Sequence, residues 1–112
     1  HNRTVTTIAG ALIGSYLGED MGRKIDQKNQ EKIMGVLESG RSNQQVAWQD
    51  PDDKSTTGSV SYVLIPQKAI HRQNQICRPY RLTMQVDRQT FIQRGLACRV
   101  AQNDWRVVKV YR

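Results

Sequence analysis

Short runs of alternating apolar and polar residues, separated by turn residues, make up most of the chain after Gly40. Alternation with a period of two is typical of strands with one buried face, because successive side chains point to opposite sides of a sheet. The pattern predicts five strands that fold as a small antiparallel β-meander. They run from Gln44 to Trp48, Gly58 to Pro66, Ile76 to Val86, Gln89 to Val100 and Trp105 to Tyr111.

A polar, helix-favouring segment lies between Glu19 and Glu38. Its imperfect apolar stripe has the spacing of an amphipathic helix, and Ser39-Gly40 provides a stop signal. The spacing therefore predicts one helix over the segment. Alternatively, the chain kinks among the preceding glycines and Asp26 begins a second helix, and the sequence does not decide between the two.

Four glycines recur at every fourth position near the N-terminus: Gly10, Gly14, Gly18 and Gly22. On a helix this spacing makes a groove without side chains, and each glycine costs about 1 kcal/mol unless a close contact compensates for it. We interpret the run as a glycine-zipper helix that contacts a neighbouring helix, in a membrane or in an oligomer of this chain. The alternatives are packing against the chain's own sheet and a flexible leader.

One numerical match fixes the pairing of the third and fourth predicted strands. If Asp87-Arg88 is a two-residue turn, Val86 faces Gln89, and directly opposed residues have numbers that sum to 175. Cys77 and Cys98 satisfy this relation. They fall at a non-hydrogen-bonded pair, where the Cα atoms are about 4.5 Å apart, which suits a disulfide. The register therefore predicts a cross-strand disulfide, which is typical of proteins that mature in an oxidising compartment.

The same register places Arg81 directly opposite Arg94, on the face that carries the two cysteines. Like charges at opposed positions are destabilising unless water, an acid or a bound anion compensates for them. Either both side chains extend into water, or they frame a site for phosphate or carboxylate groups, which a guanidinium binds with two hydrogen bonds. The anion-binding candidates of the chain are Arg78, Arg81, Arg94 and Arg99.

The apolar positions of this hairpin do not match across its two strands. The first strand has its apolar face at Tyr80 and its even-numbered neighbours, whereas the second carries Ile92 and Leu96 on the opposite face. Either both faces of the hairpin are partly covered, by the helix and by other strands, or a bulge near Gly95 shifts the alternation.

Positive charge is concentrated in the second half of the 112-residue chain, whose net charge is +7. Residues 1–56 hold seven Lys/Arg against eight Asp/Glu, whereas residues 57–112 hold ten against two. An anionic partner should therefore dock on the β-rich half, unless the charge serves only to keep the surface solvated. The chain is otherwise typical of one small globular domain, without a run of about 18 apolar residues for a membrane span.

The residue pattern contains no arrangement typical of a catalytic or metal site. His71 lies in the polar stretch from Ala69 to Gln73, which we predict to be a loop, and no nucleophile can be paired with it. The acids between Asp50 and Ser55 lack calcium-loop spacing and predict a turn, and two cysteines are too few for zinc. We expect Trp48 and Trp105 to anchor the core. The sequence thus predicts a non-enzyme without catalytic residues, metal or cofactor.

The order of these motifs resembles the rickettsial 17 kDa surface antigen family. The matching stretches cover nearly the whole chain, and the paired cysteine motifs are the most specific of them. They are Gly10 to Gly22, Glu38 to Gly40, Val46 to Pro51, Cys77-Arg78-Pro79-Tyr80, Gly95-Leu96-Ala97-Cys98-Arg99 and Asp104-Trp105. Two positions depart from the family pattern, since Asp87-Arg88 replaces the usual turn glycines and Pro79 replaces a frequent glutamate. The resemblance implies a small outer-membrane antigen of Gram-negative bacteria, often a lipoprotein, with no catalytic activity and no established ligand.

We therefore predict an α+β fold, with a glycine-zipper and helical segment over residues 1–40 and an antiparallel β-domain over residues 41–112. The predicted function is a structural or interaction role in the cell envelope, at the outer membrane or in the periplasm. The glycine helix would associate with membrane or with its own copies, and the basic β-domain with an anionic lipid, a polymer or a protein. The alternative is a nucleic-acid-binding module, which the disulfide and the lack of a recognition helix disfavour. We also expect a targeting segment before His1, where the chain starts abruptly.

Overall fold

The computed structural model describes residues 5–12, 25–50, 60–86 and 88–111. These residues form an antiparallel sheet with a helix packed on one side, so the predicted α+β class is confirmed. The helix α1 spans Gln27–Ser39, and the strands are β1 (Val5–Leu12), β2 (Val46–Gln49), β3 (Val60–Pro66), β4 (Ile70–Arg72), β5 (Gln75–Val86), β6 (Gln89–Ala101) and β7 (Asp104–Tyr111). Across the sheet the order is β1, β7, β6, β5, β3, β2, and the short β4 pairs with β5 beyond the end of β3.

Helix α1 begins directly after Asp26. The Asp26 carboxylate accepts a hydrogen bond from the backbone N–H of Asn29 at 2.9 Å, and this contact satisfies one of the N–H groups that a helix start leaves without a partner. Ile25 and Asp26 are themselves not helical. The prediction of one continuous helix from Glu19 is therefore wrong, and a helix begins after Asp26 as in the alternative. The kink that the alternative places before it lies outside the described residues.

The end of α1 agrees with its predicted stop signal. The backbone N–H of Gly40 donates to the carbonyl of Val36 at 2.7 Å, and a Cβ on Gly40 would lie 2.4 Å from that same oxygen. Only glycine fits there without a shift of the backbone.

The N-terminal glycine run does not begin with a helix. Val5–Leu12 forms the strand β1, which pairs with β7, so the prediction that Gly10 lies on a zipper helix is wrong. Four of the eight residues of β1 are β-branched, and such residues favour strands. The register against β7 shifts between Thr7 and Ala11, on either side of Gly10. The other glycines of the run lie outside the described residues: Gly14, Gly18 and Gly22.

The hairpin of β5 and β6 has the predicted register along its whole length. The opposed pairs run without a shift from Cys77 and Cys98 to Val86 and Gln89, so no bulge occurs near Gly95 in this pairing. The other interpretation is confirmed, because both faces of the hairpin hold buried residues.

Position 95 must be glycine because the Tyr80 ring on the neighbouring strand leaves no room for a side chain there. It lies opposite Tyr80, and a Cβ on Gly95 would meet the Tyr80 hydroxyl at 2.8 Å and the carbonyl oxygen of Lys109 at 2.7 Å. The glycine therefore makes room for a buried aromatic side chain, whose hydroxyl donates to Oε1 of the buried Gln93 at 2.6 Å.

Bulges occur instead between β6 and β7. The register shifts between Leu96 and Ala97 and again between Arg99 and Ala101, and the extra residues are Val108 on β7 and Val100 on β6. Successive residues of a regular strand alternate between the two sides, whereas a bulge places two consecutive residues on the same side. Val107 and Val110 lie in the core beneath α1, and both Val108 and Lys109 lie on the opposite side of the sheet.

The main core lies between α1 and one side of the sheet, which we call the inner face. α1 contributes Ile33, Val36 and Leu37, and full burial of such a side chain is worth about 1.5–3 kcal/mol. The predicted anchor Trp105 is 2% exposed, whereas Trp48 is only partly buried against this core. The strand residues of this core are Val60, Tyr62, Leu64, Tyr80, Leu82, Met84, Ala97, Trp105, Val107 and Val110.

The polar stretch around His71 is a strand and not the predicted loop. Ile70–Arg72 forms β4, in which His71 is exposed and lies opposite Ile76. A two-residue turn at Gln73 and Asn74 connects β4 to β5, and both residues have positive φ, at 50° and 64°. Such turns suit the twist of a hairpin and favour pairs such as Asn-Gly; Asn74 fits this preference, but Gln73 does not, so the sequence signal for the turn is weak.

Candidate functional site

The side of the sheet that faces away from α1 carries most of the basic residues of the strands. We call it the outer face. Directly opposed residues on neighbouring strands share a side, which places Arg81, Arg94 and Tyr111 in one row across β5, β6 and β7. The basic residues of this face in the described strands are Arg72, Arg81, Arg94, Arg106 and Lys109. Arg106 is paired with Asp104, whose carboxylate lies 2.9 Å from the guanidinium.

A disulfide closes one end of the outer face. Cys77 and Cys98 are bonded, as predicted, and their Cα atoms lie 4.0 Å apart. Both cysteines are buried in a small apolar cluster with Leu96, and Val108 packs against it. The bond holds β5 and β6 together four residues away from the opposed arginines.

A cavity of about 270 Å³ lies where Arg81 and Arg94 meet, and Gln67 and Tyr111 also line it. Nε of Arg81 is buried and has no hydrogen-bond partner among the described residues. No ion pair joins either arginine to an acid within the same part of the chain. The structure thus brings together two of the four predicted anion-binding candidates, and neither is paired with a carboxylate of the described residues.

Arg78 lies on the inner face and is 6% exposed. Its guanidinium donates to the backbone carbonyls of Leu37, Gly40 and Gln67, each at 2.8 Å. Two of these carbonyls belong to the end of α1, where a positive charge is also favoured by the helix dipole. Burial lowers the pKa of Arg78 from its usual value, but an arginine stays charged at any physiological pH. The side chain therefore fastens the helix to β5.

Arg99 also lies on the inner face and contacts the carboxylate of Glu38, at 3.0 Å. The same carboxylate accepts hydrogen bonds from the backbone N–H of Asn103 at 2.8 Å and from the indole of Trp105 at 3.1 Å. These donors hold the pKa of Glu38 below its usual value, and the Asn103 N–H has the largest effect. Arg78 and Arg99 are therefore occupied by protein acceptors, whereas neither Arg81 nor Arg94 is paired with an acid among the described residues.

Sequence analysis did not single out Gln67, Tyr111, Arg72 or Lys109 as parts of a site. A signal for Tyr111 was present, because a two-residue turn at Gln102-Asn103 gives opposed residues whose numbers sum to 205. Arg94 and Tyr111 satisfy that relation, since the two shifts between β6 and β7 cancel. Nothing comparable predicts Arg72, because the turn before β5 lacks a recognisable signature.

The described residues contain no group of three or more His, Cys, Asp or Glu side chains that could hold a metal ion. Sequence analysis predicted a turn, and not a calcium loop, from Asp50 to Ser55; of these residues the structure describes only Asp50. In the same part of the chain, no helix has the length and apolar character needed to cross a bilayer.

Comparison with protein-family models, with curated proteins and with solved structures finds no match to this chain. The similarity to the 17 kDa surface antigens therefore depends on the motifs in the sequence alone. What the structure adds is the disulfide between the two cysteine motifs and a basic face beside it.

Proposed function

We propose that this chain is a non-enzymatic protein of a bacterial cell envelope, at the outer membrane or in the periplasm, and that its outer face binds an anionic partner. The observation that carries the proposal is the opposed pair of Arg81 and Arg94. Two arginines occupy directly opposed positions four residues from a disulfide, and neither forms an ion pair with an acid among the described residues. Such a pair is destabilising in isolation and is relieved by a bound anion.

The disulfide supports the location. Cross-strand disulfides form and persist in oxidising compartments and are rare in the cytosol. The resemblance to the 17 kDa surface antigens agrees with the same location, through the Cys77 and Cys98 motifs in particular. Self-association remains a prediction for Gly14, Gly18 and Gly22, which would require a helix in a part of the chain that the structure does not describe.

Binding to lipid vesicles tests the proposed partner class. The protein should sediment with vesicles that contain phosphatidylglycerol and not with pure phosphatidylcholine, and the binding should weaken as salt is added, because exposed charges are screened. The double variant Arg81→Gln/Arg94→Gln should lose this binding. The matched control is Arg41→Gln/Arg88→Gln, which removes the same charge from exposed positions outside the outer face and should retain it.

Three results would contradict the proposal. One is equal binding to both kinds of vesicle, and another is equal loss of binding in both double variants. The third is tighter, more salt-sensitive binding to single-stranded DNA than to anionic vesicles, which would favour the nucleic-acid alternative.

A further inference from the structure

We propose that the cavity between Arg81 and Arg94 is a discrete site for a phosphate monoester carried on a small hydroxyl-bearing group, such as a phosphorylated sugar. This inference rests on the proposed function, because it names the ligand class of the same face. It goes further in that it distinguishes one site from a diffuse basic surface.

The strand register places the two arginines at directly opposed positions, and both line the same cavity. Arg81 and Arg94 are four positions along each strand from Cys77 and Cys98, so both pairs are of the same, non-hydrogen-bonded kind. The Cα atoms of the cysteine pair are 4.0 Å apart. At such pairs the Cβ atoms are about 4.5–5.5 Å apart, and long side chains can reach a common ligand. A phosphate monoester, with a charge of about −1.5 to −2 at neutral pH, compensates for both arginines at once.

The state of Arg81 points to a ligand with several acceptor oxygens. Its Nε is buried without a partner among the described residues, and a buried charged donor without an acceptor is unfavourable. Arg78 shows that this fold does supply acceptors to a buried guanidinium, since three backbone carbonyls surround it. A phosphate oxygen at the Arg81 Nε would satisfy the donor, and the neighbouring N–H of the same planar fork would bind a second oxygen.

The size and the remaining lining limit the rest of the ligand. A volume of about 270 Å³ lies just below the range of about 300–1,000 Å³ that holds drug-sized molecules, so a phosphate with a small substituent fits. Gln67 and Tyr111 also line the cavity; the side chain of the first carries an amide that can both donate to and accept from hydroxyl groups, and that of the second carries a phenol. This combination favours a hydroxylated substituent over an alkyl chain.

Another cavity on the outer face provides an internal comparison. It measures about 230 Å³, lies beside the disulfide, and is lined by Arg72 and Lys109 among others. Its two basic residues are on the separate strands β4 and β7 and do not form an opposed pair. Arg72 is therefore the matched control for Arg81, since it removes the same charge from the same face.

Calorimetric titration of the whole protein with glucose 6-phosphate, with glucose and with inorganic phosphate tests the site. Glucose 6-phosphate should bind, inorganic phosphate should bind more weakly, and glucose should not bind. Arg81→Gln and Arg94→Gln should each raise the Kd for glucose 6-phosphate at least about tenfold, whereas Arg72→Gln should change it less than about twofold. Arg81→Lys should give an intermediate Kd, because lysine keeps the charge but not the planar fork.

Thermal unfolding without ligand distinguishes binding from a structural role. Removal of one of two opposed like charges should leave Tm unchanged or raise it, so a lowered Tm in both Arg81→Gln and Arg94→Gln would overturn the assignment. Phosphatidic acid carries a phosphate monoester on a lipid, so vesicles that contain it show whether the site also accepts a lipid headgroup. If the site accepts lipid headgroups, glucose 6-phosphate should release the protein from these vesicles.

The inference and the proposed function can fail separately. If glucose 6-phosphate does not bind, or if the three Gln variants weaken its binding equally, the discrete site is wrong even where phosphatidylglycerol vesicles still bind. If no anionic probe binds in any arm, the proposed function fails together with the site.

Discussion

Arg78 is the residue that connects the sheet to the end of the helix. The last carbonyls of a helix have no partners within it, and here the guanidinium of Arg78 supplies donors to Leu37 and Gly40 and a further one to Gln67. These three acceptors belong to α1, to the residue that ends it and to the segment after β3. A single side chain thus fixes the position of the helix over the inner face.

Replacement of this side chain should destabilise the fold strongly. We expect Arg78→Ala to lower the free energy of unfolding by about 3 kcal/mol, because it leaves buried carbonyls without donors. Urea unfolding measures the change. The control Arg72→Ala removes an exposed arginine from β4 and should cost less than about 0.5 kcal/mol. If the two variants unfold at the same urea concentration, this account of Arg78 is wrong.

Glu38 should make the stability of the protein depend on pH in the acid range. Its pKa in the folded state lies below its usual value, chiefly because the carboxylate accepts a hydrogen bond from the Asn103 N–H, so the ionised form stabilises the fold. That stabilisation is fully present above pH 4.5 and is lost as the pH falls through the lowered pKa. Glu38→Gln should therefore be less stable than the wild type at pH 7, by about 2 kcal/mol, with a difference that shrinks toward pH 3.

Urea unfolding of both proteins from pH 7 to pH 3 measures this difference. The control is Glu31→Gln, which changes an exposed carboxylate in the middle of α1. The free energy of unfolding of this variant should differ only slightly from that of the wild type, because Glu38 and not Glu31 accepts the Asn103 N–H. A difference between wild type and Glu38→Gln that stays constant or grows toward low pH would contradict the assigned role.

Single residues show why some contacts can be predicted from sequence and others cannot. Arg81 and Arg94 could be placed opposite each other because one turn and one pair of cysteines fix the register of a hairpin. The contacts of Arg78 could not be predicted in the same way, since its acceptors are backbone carbonyls, which every residue carries. Only the packing of α1 on the sheet decides which carbonyls it meets.

At the scale of elements, the turn between β4 and β5 is the connection with the least favourable sequence. Gln73 and Asn74 both have positive φ, and glutamine is a poor residue for that conformation. We expect the double substitution Gln73→Asn/Asn74→Gly to raise the free energy of unfolding by about 0.5–1 kcal/mol. Gln102→Asn is the control, since Gln102 precedes the positive-φ residue Asn103 and does not itself have positive φ. An unchanged or lowered stability in the double variant would contradict the assigned turn.

The elements that the sequence predicts best are those with strong alternation and recognisable ends. β3, β5, β6 and β7 lie within two residues of their predicted bounds. β1 was predicted as part of a helix because a glycine spacing outweighed its β-branched residues, and pairing with β7 decides its conformation. Sequence analysis missed β4 because three residues are too few to show an alternating pattern. Its strand conformation depends on pairing with β5.

At the scale of the whole molecule, the two faces of the sheet differ in the partners that their arginines have. The inner face gives Arg78 and Arg99 protein acceptors and uses them to hold α1. The outer face leaves Arg81 and Arg94 opposed, without a carboxylate among the described residues. The disulfide and the inner core hold the sheet together despite this arrangement, and the outer face remains available for the anionic partner that we propose.

We propose that this sheet, closed by a disulfide, acts outside the cytosol. The redox state of Cys77 and Cys98 in the cells that produce the protein tests this location. Thiols are blocked with N-ethylmaleimide in intact cells, and the isolated protein is weighed by mass spectrometry before and after reduction. We expect no adduct on the two cysteines before reduction and, after reduction and a second labelling, one adduct on each. Two adducts before reduction would show free thiols in the native protein and would contradict the account.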